Sequence, residues 1–186
     1  MTGILALLRR HLRLVVAACV VVAALGVFVL VYFQPQKLFV DETVNDPPPA
    51  ATATATATAG ERPESAGTAA VLSTGELISR GHPGSGTVRV LRLPDGSRVL
   101  RLEDLRVENG PDLRVRLTVA GPRAPNGDFG RDFADLGALK GNLGNQTYAL
   151  PAGLRLDRYH AVVIWCRRFT YAFAAAPLSS AAGPSR

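Results

Sequence analysis

Tyr159 to Phe173 reads YHAVVIWCRRFTYAF. His160 to Cys166 is rich in β-branched and aromatic residues, and Phe169 to Ala174 is again aromatic and apolar. Such residues favour strands, so two consecutive strands are predicted, with Trp165-Cys166 at their junction. With the period of two, Phe169, Tyr171 and Phe173 share a face of the second strand. Cys166 is also the one cysteine outside an N-terminal apolar run, which holds Cys19. Those two thiols are not expected to meet, so no intrachain disulfide framework follows.

Similar signals extend upstream. Leu113 to Val119 alternates, with Leu113, Val115, Leu117 and Val119 facing in and Arg114, Arg116 and Thr118 facing water. Further strands are predicted at Gly75–Arg80, Thr87–Leu93, Ser97–Leu102, Leu105–Glu108 and Tyr148–Leu150. Within Thr87–Leu93 the alternation slips by one residue between Val90 and Leu91, which implies a bulge or burial on both faces. Pro94-Asp95-Gly96 closes a hairpin, because Pro presets φ and Gly supplies a positive φ. Gly81–Gly86 and Asn109–Asp112 are turns, and Ala120–Asp132 is a loop. Leu136–Gln146 (LGALKGNLGNQ) is read as a structured loop with special backbone angles. Many short strands without an amphipathic helix predict a mainly β domain, an antiparallel β-sandwich over 69–178.

The chain has 186 residues and a formal net charge of +6. Arg9, Arg10 and Arg13 account for half of that charge, and they precede the apolar run. The remainder is a solvated surface without an arginine–aromatic stripe, so no nucleic-acid partner is expected. Only Lys37 and Lys140 are lysines. That bias, with abundant Ala, Gly and Pro, points to a GC-rich genome and a bacterial source.

Leu14 to Phe33 carries no charge and, at 1.5 Å per residue, spans ~30 Å, the hydrocarbon thickness of a bilayer. It is read as a transmembrane helix with the lipid bilayer as its partner. The preceding arginines place 1–13 in the cytoplasm and everything after Phe33 outside it, as a single-pass protein of the cell membrane. A cleavable signal peptide would need a small-x-small site, which Phe28–Gln36 does not offer. Val16-Ala17-Ala18-Cys19 resembles a lipoprotein box, but too few apolar residues precede it. Residues 34–68 form a juxtamembrane segment and a Pro/Ala/Thr linker, expected to be disordered because it buries too little to offset its ordering entropy. Its threonines also suit an O-glycosylated stalk. Residues 179–186 are expected to be a disordered tail.

HPGSGTVRVLRLPDGSRVLRLEDLRVENGPDLRVRL, DLGALKGNLGNQTYALP and YHAVVIWCRRFTYAFAAAPL occur in that order. Together they resemble the DM13 domain, through the His-Pro-x-x-Gly-Thr start, the Asn-Gly-Pro-Asp-Leu turn, the Leu-Lys-Gly-Asn-x-Gly-Asn-Gln loop and the Trp-Cys pair. The resemblance implies a β-rich extracytoplasmic domain, found in membrane-anchored bacterial proteins and in animal proteins beside DOMON and cytochrome b561-type domains. It implies redox or electron transfer centred on the Trp-Cys cysteine, here Cys166, with a membrane redox protein as partner. No independent catalytic activity is expected.

Cysteine redox chemistry runs through the thiolate. On a regular strand Arg168 would share a face with Cys166, ~6–7 Å away, and would stabilise that thiolate. Trp165 would point into the core as support. The opposing reading makes Cys166 a buried structural cysteine in a non-catalytic cell-envelope module. An exposed Cys166 would also allow a disulfide-linked homodimer.

His82, His160 and Cys166 nominally match the ligands of a blue-copper site. However, on one regular strand His160 and Cys166 lie ~20 Å apart. Met1 is the only methionine and no C-x-x-C-H is present, so Met-ligated or covalently attached haem is excluded. A bis-His haem through His82 and His160 has nothing else to support it, so no cofactor and no metal is predicted. Asn126–Asp132 departs from a calcium loop, with a misplaced glycine and Arg131 intruding. Asn145-Gln146-Thr147 fits a glycosylation pattern common by chance.

Overall fold

The computed structural model describes residues 2–33, 40–49 and 69–180. The linker and tail readings for 50–68 and 181–186, and the juxtamembrane residues 34–39, lie outside the described residues; Ser179–Ser180, expected to begin a disordered tail, instead pair with Thr74 and Ser73 as a strand. One helix, α1 (Thr2–Phe33), contains a stretch long and apolar enough to cross a membrane, His11–Tyr32, and its side chains there are exposed. The remainder is β: β1 (Thr43–Asn45), β2 (Ala70–Glu76), β3 (Ile78–Ser79), β4 (Gly84–Arg92), β5 (Arg98–Val107) and β6 (Leu113–Thr118) come first. They are followed by β7 (Phe133–Ala138), β8 (Leu143–Leu150), β9 (Ala161–Cys166), β10 (Tyr171–Pro177) and β11 (Ser179–Ser180).

Two sheets face each other. One is six-stranded in the order β1-β8-β5-β4-β2-β11, the other five-stranded in the order β3-β10-β9-β6-β7. All pairings are antiparallel except β1 with β8, which is parallel. Val88, Val90, Leu100 and Leu102 of one sheet and Val115, Leu117, Val162 and Ile164 of the other build the shared core, all at 0% exposure. Each such side chain contributes about 1.5–3 kcal/mol by leaving water. The chain crosses between sheets at Leu77 and again at Leu178, which joins the layers along one side.

Several elements differ from their sequence reading. Ser97–Leu102 and Leu105–Glu108 belong to the single strand β5, which continues through an irregularity at Glu103-Asp104 where Asp104 takes φ 50°. The slip between Val90 and Leu91 is met by a register shift in the partner, between Val71 and Ser73 of β2. Leu136–Gln146 is mostly strand, shared between β7 and β8. Arg116 and Thr118 are buried, not solvated, because a second layer covers the outer face of β9. That layer is the 120–132 loop, which contains a 3-10 turn at Asn126–Gly130 and inserts Phe129.

Residues 40–49 are no free linker. They lie along the edge of β8 as a strap, with β1 at its centre. The buried Arg101 holds its far end through the Asp46 and Pro47 carbonyls.

Candidate functional site

β9 is flanked by β10 and β6 and is buried at every residue. Alternation sends its residues to two different interiors. Cys166 faces the inter-sheet core at 0% exposure, in the cluster that includes Leu113 and Phe173. Trp165 faces the other way and packs with Phe129, Val163, Ala172 and Ala175. The Arg116 guanidinium lies 3.9 Å from the Phe133 ring centroid and 5.5 Å from that of Trp165. Burial lowers the pKa of Arg116, against the opposing charge of Asp135. Burial would raise Asp135, but hydrogen bonds from Arg114 and the Gly137 N–H outweigh it and leave its pKa lowered.

The strand ends at Cys166, and 167–170 is a turn in which Thr170 takes φ 48°. The regular strand assumed for Arg168 therefore does not extend past the thiol. Arg168 stands with its guanidinium 4.1 Å from the Tyr32 ring centroid, at the end of α1. Its Nε is buried and has no hydrogen-bond partner among the described residues. Phe169, Tyr171 and Phe173 do not share a face either, since Phe169 lies in the turn and β10 shifts register between Ala172 and Ala174. Phe169 is 51% and Tyr171 39% exposed, whereas Phe173 is buried.

The turn is pinned on two sides. Arg167 donates through its backbone N–H to the Asp112 carbonyl and through Nε to the Asp112 carboxylate, at 2.9 and 2.7 Å. Asn126 donates to the Thr170 carbonyl and accepts from the Ala172 N–H. The backbone of Cys166 thus adjoins a surface turn, while its side chain is buried in the inter-sheet core.

His82 stacks on Phe173 at 3.9 Å between centroids, and its Nδ1 lies 2.8 Å from Glu108 Oε2. His160 precedes β9 and Cys166 ends it, so that strand separates the two rather than bringing them together. Among the described residues, no group of three or more His, Cys, Asp or Glu side chains is placed to hold a metal ion. Asn126–Asp132 spends its polar groups on the turn after Cys166, on the Asp128–Arg131 pair and on the pair of Asp132 with Arg158.

The structure gives Leu139–Gln146 a role in holding residues 40–49. Asn142, 3% exposed, accepts from the Glu42 N–H and donates to the Asp41 carboxylate. Asn145 donates to Asn45, and the Thr147 N–H and Lys140 Nζ both meet the Asp46 carboxylate. Those two donors, Lys140 foremost, lower the Asp46 pKa. A Cβ at Gly141 would run into the Glu42 carbonyl, and one at Gly144, where φ is +95°, into the Val44 carbonyl. Gln146 and Tyr148 form a buried polar network beneath this turn, and burial pushes the Tyr148 phenol up to about 12. The glycines and asparagines of this loop therefore seat the strap. Between the strap and Asn109–Leu113 lies a cleft of about 440 Å³.

No curated protein and no solved structure gives a match. A family model described as Electron transfer DM13 matches residues 76–178. That segment contains the Trp165-Cys166 pair, the strap-seating loop and the eight strands β3 to β10, and it exceeds half of the chain: the protein belongs to the DM13 family.

Proposed function

We propose that this protein is a membrane-anchored electron-transfer module whose redox group is Cys166. The observation that carries the reading is the family match over 76–178, which encloses the one cysteine outside α1. In this reading α1 crosses the membrane with its arginine-rich end in the cytoplasm, and the sandwich faces the extracytoplasmic side. The position of Cys166, at the last residue of β9, lets a local opening of the 167–170 turn uncover it without unfolding the sheets.

The chemistry is thiol–disulfide exchange with membrane redox partners. The Cys166 thiol loses its proton to solvent, and the thiolate attacks an acceptor disulfide. That S–S bond breaks, a mixed disulfide forms and one acceptor thiolate leaves. A donor dithiol then attacks the Cys166 sulfur and releases the second acceptor thiolate. The donor's other thiolate closes its own disulfide and returns Cys166 as a thiolate. Two electrons have passed from donor to acceptor.

A second reading has its own observation. Zero exposure of Cys166 fits a structural cysteine in a non-catalytic envelope module. Incubating the full chain in nanodiscs with glutathione disulfide separates the two. A reductant-sensitive glutathione adduct on Cys166 of the folded protein supports the redox reading. An adduct that forms only in denaturant supports the structural one.

A further inference from the structure

The strap starts at the same end of the sandwich as the turn after Cys166. Asn109 donates to the Val40 carbonyl, and Arg167 is tied to Asp112 three residues further on. Only residues 34–39 separate that fixed point from the end of α1 at Phe33. Seven residue steps reach about 25 Å at full extension. The segment 50–68 lies between two parts of the same domain, the strap and β2, so its length adds nothing to the reach. A domain held this way cannot stand off on a long stalk, and its strap end must lie close to the headgroups if α1 crosses the bilayer.

The surface at that end is suited to a lipid interface. Phe169 and Tyr171 are exposed aromatics, flanked by Arg167 and Arg168. Among the described residues Arg168 has no carboxylate partner; its guanidinium lies instead on Tyr32, in the last turn of the apolar helix. Aromatic side chains at such a position belong to the headgroup belt, and arginines reach anionic headgroups from it. The geometry points to the turn Arg167–Thr170 as a docking face for the protein's own bilayer. Phe169 enters the interface, Arg168 bridges Tyr32 and anionic headgroups, and the sandwich rests on the membrane by its strap end. The inference rests on α1 being a membrane span, as in the proposed function, but not on any chemistry at Cys166.

The test uses the full chain in nanodiscs of phosphatidylcholine and phosphatidylglycerol. A fluorophore is placed on Phe169→Cys, or on Asp95→Cys in the β4–β5 turn, in a Cys19→Ser, Cys166→Ala background. The β4–β5 turn lies roughly 30 Å along β4 from the strap end. The quencher is a lipid with a nitroxide on its headgroup. The position-169 reporter should lose most of its emission while the position-95 reporter keeps most of its own. Arg168→Gln should lower the ratio of docked to undocked forms by up to about fivefold, the worth of one cation near an anionic surface. Weak quenching at both positions, or stronger quenching at 95, overturns the docking. Release of the unlabelled chain from membranes by alkaline carbonate would overturn the span itself, so that wash comes first.

Discussion

Leu139–Gln146 and Trp165–Thr170 lie at the same end of the sandwich, and they are built on opposite principles. The first is shaped to admit backbone. Its glycines remove side chains where the strap carbonyls approach, and its asparagines replace the missing sheet partners. The second is shaped to exclude everything. It sends Cys166 into one core and Trp165 into another, and a pinned turn follows directly. A stretch rich in Gly and Asn thus marks a receiving surface, whereas one rich in aromatic and apolar residues marks a sealed one.

The contrast can be broken most forcefully at Trp165. Trp165→Ala should cost about 3–5 kcal/mol in urea unfolding, because it empties the layer built by Phe129 and Ala172. It should leave hydrogen exchange in the strap protected at low denaturant. Gly144→Ala attacks the other region. It forces a side chain into a left-handed backbone and against Val44, so a loss of about 1–3 kcal/mol is expected. Its distinguishing sign is rapid exchange at Thr43–Asn45 with β9 unaffected. If both substitutions destabilise both regions alike, the two are not separate devices.

Smaller changes sharpen the comparison. Cys166→Ser buries a hydroxyl where the thiol sat and should cost about 1–3 kcal/mol, more than Cys166→Ala if the hydroxyl finds no partner. Calorimetry on both variants decides it. Asp46→Asn removes a partly exposed pair with Lys140 and should cost less than about 1 kcal/mol. The pH dependence has a definite sign. The Asp46 pKa is lowered in the folded chain, so its contribution is present above the ordinary carboxylate value and fades as pH falls through the folded one. Strap protection, corrected for the slower intrinsic exchange in acid, should therefore weaken as pH falls in the parent and change less in Asp46→Asn.

The β-sandwich was legible because burial leaves a period in strands such as Leu113–Thr118, and the helix because Leu14 to Phe33 carries no charge. Leu113, Val115 and Leu117 alternate as expected and lie in the core. Arg116 was misread as solvated, since a loop that covers a sheet's outer face leaves no periodic mark on the strand beneath. The strap was missed for a related reason: Thr43–Asn45 is too short and polar to look like a strand, and its partners lie about a hundred residues away. The composition of Leu139–Gln146 announced special backbone, though not what that backbone was for. Extrapolating β9 by two residues set Arg168 beside Cys166. The chain turns at Arg167 instead, under the pull of Asp112 and Asn126, and neither contact is local in sequence.

If Cys166 is the redox thiol proposed above, it is reached through a local opening that includes the 167–170 turn. The most direct test is the alkylation rate of Cys166 in the full chain in nanodiscs, across low denaturant concentrations and several pH values. Labelling is expected well below the unfolding transition, at a rate that rises with pH and hardly varies with denaturant, and that quickens in Asn126→Ala. Labelling that instead tracks global unfolding, with the full denaturant dependence of the sandwich, would contradict it and leave Cys166 as part of the core.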